Sequence, residues 1–450
     1  MSKESLQYAG EYNLLECFLT TSGSVTIDLA KNNQILEINI FEDIHMNLIS
    51  GTIVLTDTNN FITELPIIGQ EFLSLKIQTP GFTEDRSSIN FTGGREFSVF
   101  KIGMRTELSK GAQVYELNFI SQETLRDQRV RVSKSYATDL STIVEDIMTN
   151  EKYIGTTKEL FIEPTLGARK LVVPNVHPYI FIKDLLKQSV SSDGSPHYLF
   201  FENSDGFHFR SVQDLYKQPA IETFHFSENL PESKGFHRQE QAIIDLTRIL
   251  KYELQGTNDM LVNIPSGMLG STSIAHDIYS KNYVTKTYGY FDEFATNTRV
   301  SKSSNPRYSE STDMNGKSIG DYPEARIFVH PISTKGTIDA NHMNYAPSKL
   351  SEYGSTKVSR ALELTTGIII GMTLPGNTAM RVGNIIKLDI PVIGNDHSKT
   401  KVDPFYSGNF LVKNLRHQFL QTTRQHFIHM SVVKDSVEES ISTSSSLALY

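Results

Sequence analysis

His417, His426 and His429 lie close together late in the chain, and clustered imidazoles can hold a metal. On a strand, however, positions 426 and 429 differ by an odd number and face opposite sides, so they share no site. Solvated or stacked rings account for them. His208 and His225, each between two phenylalanines, suit the polar face of alternating strands. The segment Gly371-Met-Thr-Leu-Pro-Gly376-Asn377-Thr378 comes near a phosphate-binding loop, but Asn377 stands where lysine belongs. Arg381-Val382-Gly383 then leads into a strand and not a helix, so the Pro-Gly pair reads as a turn. The acid pairs Glu42-Asp43 and Glu145-Asp146 could act as general acid and base. The first pair reads as a turn and the second as the polar side of a helix, both solvated. There is no Gly-x-Ser-x-Gly, no His-Glu-x-x-His, and no histidine partner suggested for Cys17. The sequence therefore predicts no enzyme, no catalytic residue, no cofactor and no metal site.

Bulk properties point the same way. A chain of 450 residues divides into two to four domains. With 38% hydrophobic and 21% charged residues it reads as soluble and folded. A net charge of −8 argues against a surface that holds nucleic acid. The single cysteine excludes an intrachain disulfide framework. No signal-peptide pattern is visible, and the longest apolar runs, such as Gly367 to Met372, fall far short of a membrane span.

The positioning elements are mostly strands. Ile35 to Ile40 and Phe72 to Ile77 alternate apolar and polar residues, and Thr52 to Leu55 is a short apolar run. Phe97–Ile102 and Val114–Phe119 form a hairpin turned by Lys110-Gly111. Residues 1–127 are thus predicted to form a first antiparallel β-barrel. Residues 128–235 form an α+β module. It has a helix through Leu140, Ile143, Val144, Ile147 and Met148 capped by Thr138 or Asp139, and a second helix opening at Pro178. A hairpin follows, turned by Asn203-Ser204-Asp205-Gly206, and Glu222 to Lys234 read as the linker out. Residues 236–272 plus 356–435 form a second β-barrel, with Ile249–Leu254 and Met260–Ile264 as strands. Residues 273–355, rich in Tyr, Ser, Asn and Thr, read as an insertion with little regular structure, and the Ser-rich 436–450 as a flexible tail. The class is α+β, mainly β.

One segment echoes another. Ile68 to Ile77 resembles Val382 to Ile390 with one residue gapped, and the hairpin Met104–Tyr115 spans the same interval as Leu415–His426. Hairpin length fixes register, so matching order and spacing favour duplication. Two similar barrels per chain also convert symmetry: three copies make a ring of six.

The chain resembles the baseplate hub protein of contractile-tailed, T-even-like bacteriophages. The resemblance rests on Ser50 to Asp57 with Leu65 to Glu71, on Arg131 to Tyr136, on Ser266-Gly267-Met268 with His276 to Tyr279, and on Tyr406 to Val412. It implies two tail-tube-like barrels and a homotrimer whose pseudo-hexameric ring joins the six-fold tail tube to a three-fold central spike. DNA would pass through the lumen without specific binding. The implied partners are the trimeric spike, tube or tube-initiator proteins and baseplate wedge proteins, without membrane insertion. The implied location is the virion, after synthesis in the host cytoplasm. Alternatives are a hub component of a phage-like injection or type VI-like secretion machine, and a carbohydrate-binding receptor suggested by 273–355.

Overall fold

The computed structural model describes residues 6–438 except 22, 24, 32–33, 59–61, 63–66, 82–86, 110, 227–237, 257, 279–280, 305–313, 333–349 and 393–401. Residues 439–450 of the expected flexible tail and most of the Glu222–Lys234 linker lie outside the described residues.

Eight strands come first: β1 (Asn13–Thr20), β2 (Thr26–Asp28), β3 (Ile35–Asp43), β4 (Ser50–Asp57), β5 (Phe72–Gln78), β6 (Ser88–Phe91), β7 (Phe97–Ser109) and β8 (Ala112–Ser121). Alternate residues of β4 are buried, as a strand with one core face requires. Ser109 pairs with Ala112 across the hairpin turn, where Gly111 adopts φ of 91°.

The next module has β9 (Ser135–Thr138), β10 (Glu159–Ile162), β11 (Arg169–Val172), β12 (Tyr198–Glu202) and β13 (Gly206–Ser211), with helices Leu140–Thr149 and Pro178–Gln188. The Asp139 side chain accepts from Thr142 N and caps the first helix, and Pro178 opens the second. Both expected helices and the Asn203–Gly206 hairpin turn are present.

Then follow β14 (Ala220–His225), β15 (Lys251–Gly256), β16 (Gly270–Asp277), β17 (Tyr283–Gly289), β18 (Ser303–Ser304), β19 (Ile327–Ile332), β20 (Ile368–Pro375), β21 (Ile385–Asp389), β22 (Gly408–Leu420), β23 (Gln425–Lys434) and β24 (Ser436–Val437).

The strand order β3-β4-β8-β7, with β5 on β7, recurs as β15-β20-β23-β22, with β21 on β22. Details repeat as well. Gly69 and Gly383 both have positive φ, near 87° and 85°. Val99 N donates to Glu71 O, and Val412 N donates to Asn384 O. Both 13-residue strands carry a bulge, between Val99 and Lys101 in β7 and between Val412 and Asn414 in β22. The bulges equate Asn414 with Lys101, and so Leu415 with Ile102. The expected match of Leu415 with Met104 is therefore off by two residues, a slip that keeps every side chain on its face.

Among the described residues the two halves share one sheet, and the expected pair of separate barrels is not seen. One 14-stranded sheet runs through both halves, and among the described residues no pairing closes it. The cause is the length of β22. Its first four residues pair with β21, and Asn414–Leu420 continue along the same edge to pair with β3. A strand that long presents two tiers of backbone groups, and the first half supplies the strand that satisfies the second.

Other expectations change. Residues 273–355 include most of the three-stranded sheet β17-β16-β19, which packs on the helix Leu350–Thr366. Its buried row, Ser271, Ser273, Ala275 and Asp277, is too small and polar to announce a strand face. Met260–Ser266 is a helix, because Asp259 accepts from Leu261 N and Val262 N at its start. Ala220–His225, which runs into the start of the expected Glu222–Lys234 linker, is a strand parallel to β21. The start of the expected tail is also ordered: Ser436 and Val437 are buried and pair with β18.

Candidate assembly interface

The seam between the halves begins with backbone. Seven residues of β22 pair with seven of β3, from Asn414 opposite Asp43 to Leu420 opposite Glu37. On the outward face Arg416 Nη2 meets Glu37 at 3.1 Å and its Nε donates to Asn39 Oδ1 at 2.9 Å. Gln418 Nε2 donates to the same Glu37 carboxylate, and Asn39 Nδ2 donates to Thr52 Oγ1. His429 bridges Thr373 Oγ1 and Gln418 Oε1, each at 3.0 Å. Around the seam the outward face therefore carries a connected polar network, with Phe41 exposed beside it. A groove of about 630 Å³ crosses it from β15 to β3. The opposite face covers two apolar cores, one around Ile53, Leu117 and Phe119 and one around Ile370, Val412 and Val432.

The α+β module locks this seam with the tip of one hairpin. Glu202 N donates to Met46 O, and its carboxylate accepts from Ile49 N. Asn203 Nδ2 donates to Val382 O, while Asp205 meets Arg381 Nε at 3.3 Å. Arg95 Nη2 donates to the carbonyls of Ser204 and Asp205. Glu42 ties all three parts: its carboxylate accepts from Ser204 N at 2.9 Å, from Ser204 Oγ, and from Val382 N at 3.1 Å. Glu42 is thus buried in a strand, not solvated at a turn. Burial raises its pKa, opposed by the Arg381 guanidinium.

Beneath the tip, Lys158 Nζ lies 2.7 Å from both Glu123 and Glu202, with no more than 8% of any of the three side chains exposed. Burial pushes the Glu202 carboxyl up to about 7, against the pull of Lys158. For Lys158 the two carboxylates outweigh burial and hold the ammonium charged. A second buried cluster joins Arg360 to Glu363 at 2.7 Å and to Asp435 at 2.8 Å, with Arg299 against both acids. It ties the Leu350–Thr366 helix to the end of β23. The sequence offered Asn203 to Gly206 only as a turn, and nothing in Lys158 or Arg360 marks them as buried ions.

The histidines, acid pairs and glycine-rich turn with candidate chemistry are spread over this framework. His429 faces away from His417 and His426, as strand parity requires. The other two are fully buried partners, Nδ1 of His417 lying 3.0 Å from Nε2 of His426, and His426 stacks on Phe419. His208 is also buried, stacked between Phe161 and Phe201, and not on a polar face. Gly376 lies so close to the His426 ring that a Cβ there would overlap it, and Thr378 bonds Thr79. The would-be phosphate loop is therefore a packed turn. Among the described residues no group of three or more metal-ligating side chains occurs, and no helix is long and apolar enough to cross a membrane.

Burial lowers His417 to about 3 and His426 well below its usual range. Their unfolded forms titrate near 6.5, so below that pH the unfolded chain binds more protons. The stability they contribute is present above about pH 6.5 and is lost as pH falls toward about 3. His426→Gln is expected to reduce the acid dependence of stability by about 1.4 kcal/mol per pH unit between about pH 6 and 4. Urea titrations followed by circular dichroism check this, and an unchanged slope refutes it.

In sequence, no family model and no curated protein matches the chain. In architecture the chain has the fold of phage tail proteins. It is similar to the 43 kDa tail protein of prophage MuSo2 from Shewanella oneidensis, with a TM-score of 0.51 over 94% of this chain and 99% of that one, at 10% identity. It is also similar to the tail protein from Neisseria meningitidis MC58, with a TM-score of 0.50 over 94% and 97% of the two chains, at 8% identity. The resemblance read from the sequence is met at the level of fold.

Proposed function

We propose that this chain is a structural hub of a contractile-tail baseplate, a homotrimer whose ring joins a six-fold tube to a three-fold spike and leaves a channel for DNA. The observation that carries the reading is the doubled strand order within one continuous sheet. A unit that occurs twice per chain gives six similar units in a trimer, which is what matching the two symmetries needs. The run from β15 to β7 has eight strands, so three copies supply 24. At about 4.8 Å per strand these enclose a circle about 37 Å across, wider with the tilt of a closed sheet. The polar face of the sheet would line that channel. Its charges are mixed and hydrogen-bonded to neighbours, so it would give passing phosphates little net attraction. Spike, tube and wedge proteins are the partners in this reading, and the virion is the location.

Light scattering coupled to size exclusion is expected to give three times the 50.7 kDa chain mass. Negative-stain averages should show a ring with pseudo-six-fold inner density. A chain that stays monomeric even with its spike partner would refute the proposal.

A further inference from the structure

We propose that Lys158, Glu202 and Glu123 form a self-joining site, in which Lys158 Nζ makes an amide with the side-chain carboxyl of Glu202 and one water is released. The buried ion pair described above is the reactant, and Glu123 carries the protons.

Three separate elements bring the atoms together. Glu123 lies on the short helix Gln122–Asp127, Lys158 immediately before β10, and Glu202 at the end of β12. Lys158 Nζ is 2.7 Å from Glu202 Oε1 and 2.7 Å from Glu123 Oε2, with the centre of the Phe207 ring 5.6 Å away. That separation puts the Glu202 carboxyl carbon about 3.5 Å from the nitrogen, within the range of reacting atoms. The outer oxygens are held as well. Glu202 Oε2 accepts from Ile49 N at 3.1 Å, and Glu123 Oε1 accepts from Thr156 Oγ1 at 2.7 Å. Two carboxylates on one ammonium leave a negative charge over in a site nearly closed to water. A structural ion pair has no use for that cost, but a proton carrier beside the nitrogen does.

The step balances without an added reagent. One proton of the Lys158 ammonium passes to Glu202 Oε1, giving a neutral amine and a neutral acid with no change in net charge. Burial already favours the acid form of Glu202. Nζ then attacks the carboxyl carbon, and the charge that develops on Oε2 is held by the Ile49 N–H. Glu123 Oε2 accepts the proton that the nitrogen sheds and passes it to the Oε1 hydroxyl, which leaves as water. The carbon–Oε1 bond breaks, the Nζ–carbon bond forms, and Glu123 ends as the carboxylate it began. Nothing is oxidised or reduced.

The product is a staple between residues 44 apart in sequence, set directly beneath the hairpin tip that locks the seam. With a single cysteine, the chain has no disulfide of its own to do this.

The test is mass spectrometry of the full chain, denatured after incubation at neutral pH and then mapped by peptides. The parent is expected to be lighter than its sequence by one water, with the peptides that carry Lys158 and Glu202 joined. Glu123→Gln keeps the side chain's shape but removes the base, so joining should slow by at least about a hundredfold. Circular dichroism checks that this variant folds, and the parent's own peptides decide the matter if it does not. Parent peptides that stay separate overturn the proposal, as does a water lost only at some other position. Joining at the parent's rate in folded Glu123→Gln overturns the part given to Glu123.

Discussion

Lys158→Met is expected to destabilise the chain by about 3–5 kcal/mol, because it leaves Glu123 and Glu202 buried without a counter-charge. All three side chains are almost wholly out of water, so solvent screening offers little relief. Part of the loss should be recovered by adding Glu123→Gln and Glu202→Gln, since amides of the same shape carry no charge to desolvate. The chain has no tryptophan, so urea unfolding followed by circular dichroism is the suitable measurement. A single variant within about 1 kcal/mol of the parent would mean that the acids take up protons or water when the ammonium is removed.

Glu42→Leu is expected to cost about 2–5 kcal/mol, for a different reason. The leucine fills most of the space, but Ser204 N and Val382 N lose their acceptor in a buried site, at about 1–3 kcal/mol each. The effect should also be local. Hydrogen exchange should quicken at Ser204 and Val382 before it quickens in β4 or β8, because the carboxylate is what ties the hairpin tip to the seam. Uniform quickening across the sheet would contradict the tie.

Much of the first half was legible in its residues. Leu36 to Ile40 and Leu73 to Ile77 alternate apolar and polar residues because one side of each strand faces a core, and the β7–β8 hairpin turns where Gly111 permits. The duplication was legible too, but its register was not. Similar hairpins align equally well two residues apart by their pattern, and only the bulges at Val99 and Val412 fix the match. The strands of 270–332 escaped notice because their buried face is built from serine, alanine and aspartate. The ions escaped for a related reason: Lys158, Arg299 and Arg360 look like any surface base until partners far away in sequence enclose them. Glu42 sits beside Asp43 like a solvated acid pair, and only the arrival of Ser204 and Val382 makes it a tie.

The length of β22 has a consequence in time. Arg416 reaches Asn39 across 377 residues of chain. During synthesis at about 5–20 residues per second, β3 waits roughly 20–75 s for the strand that will cover it. Over that interval its edge is open, and an open edge is a template for the wrong chain. Glu37, Asn39 and Asp43 share one face of it with the exposed Phe41, and their charge and polarity discourage pairing with another nascent copy. The seam should then be among the last parts of the molecule to form. Its rate should be set by closing a very long loop, with little help from local structure.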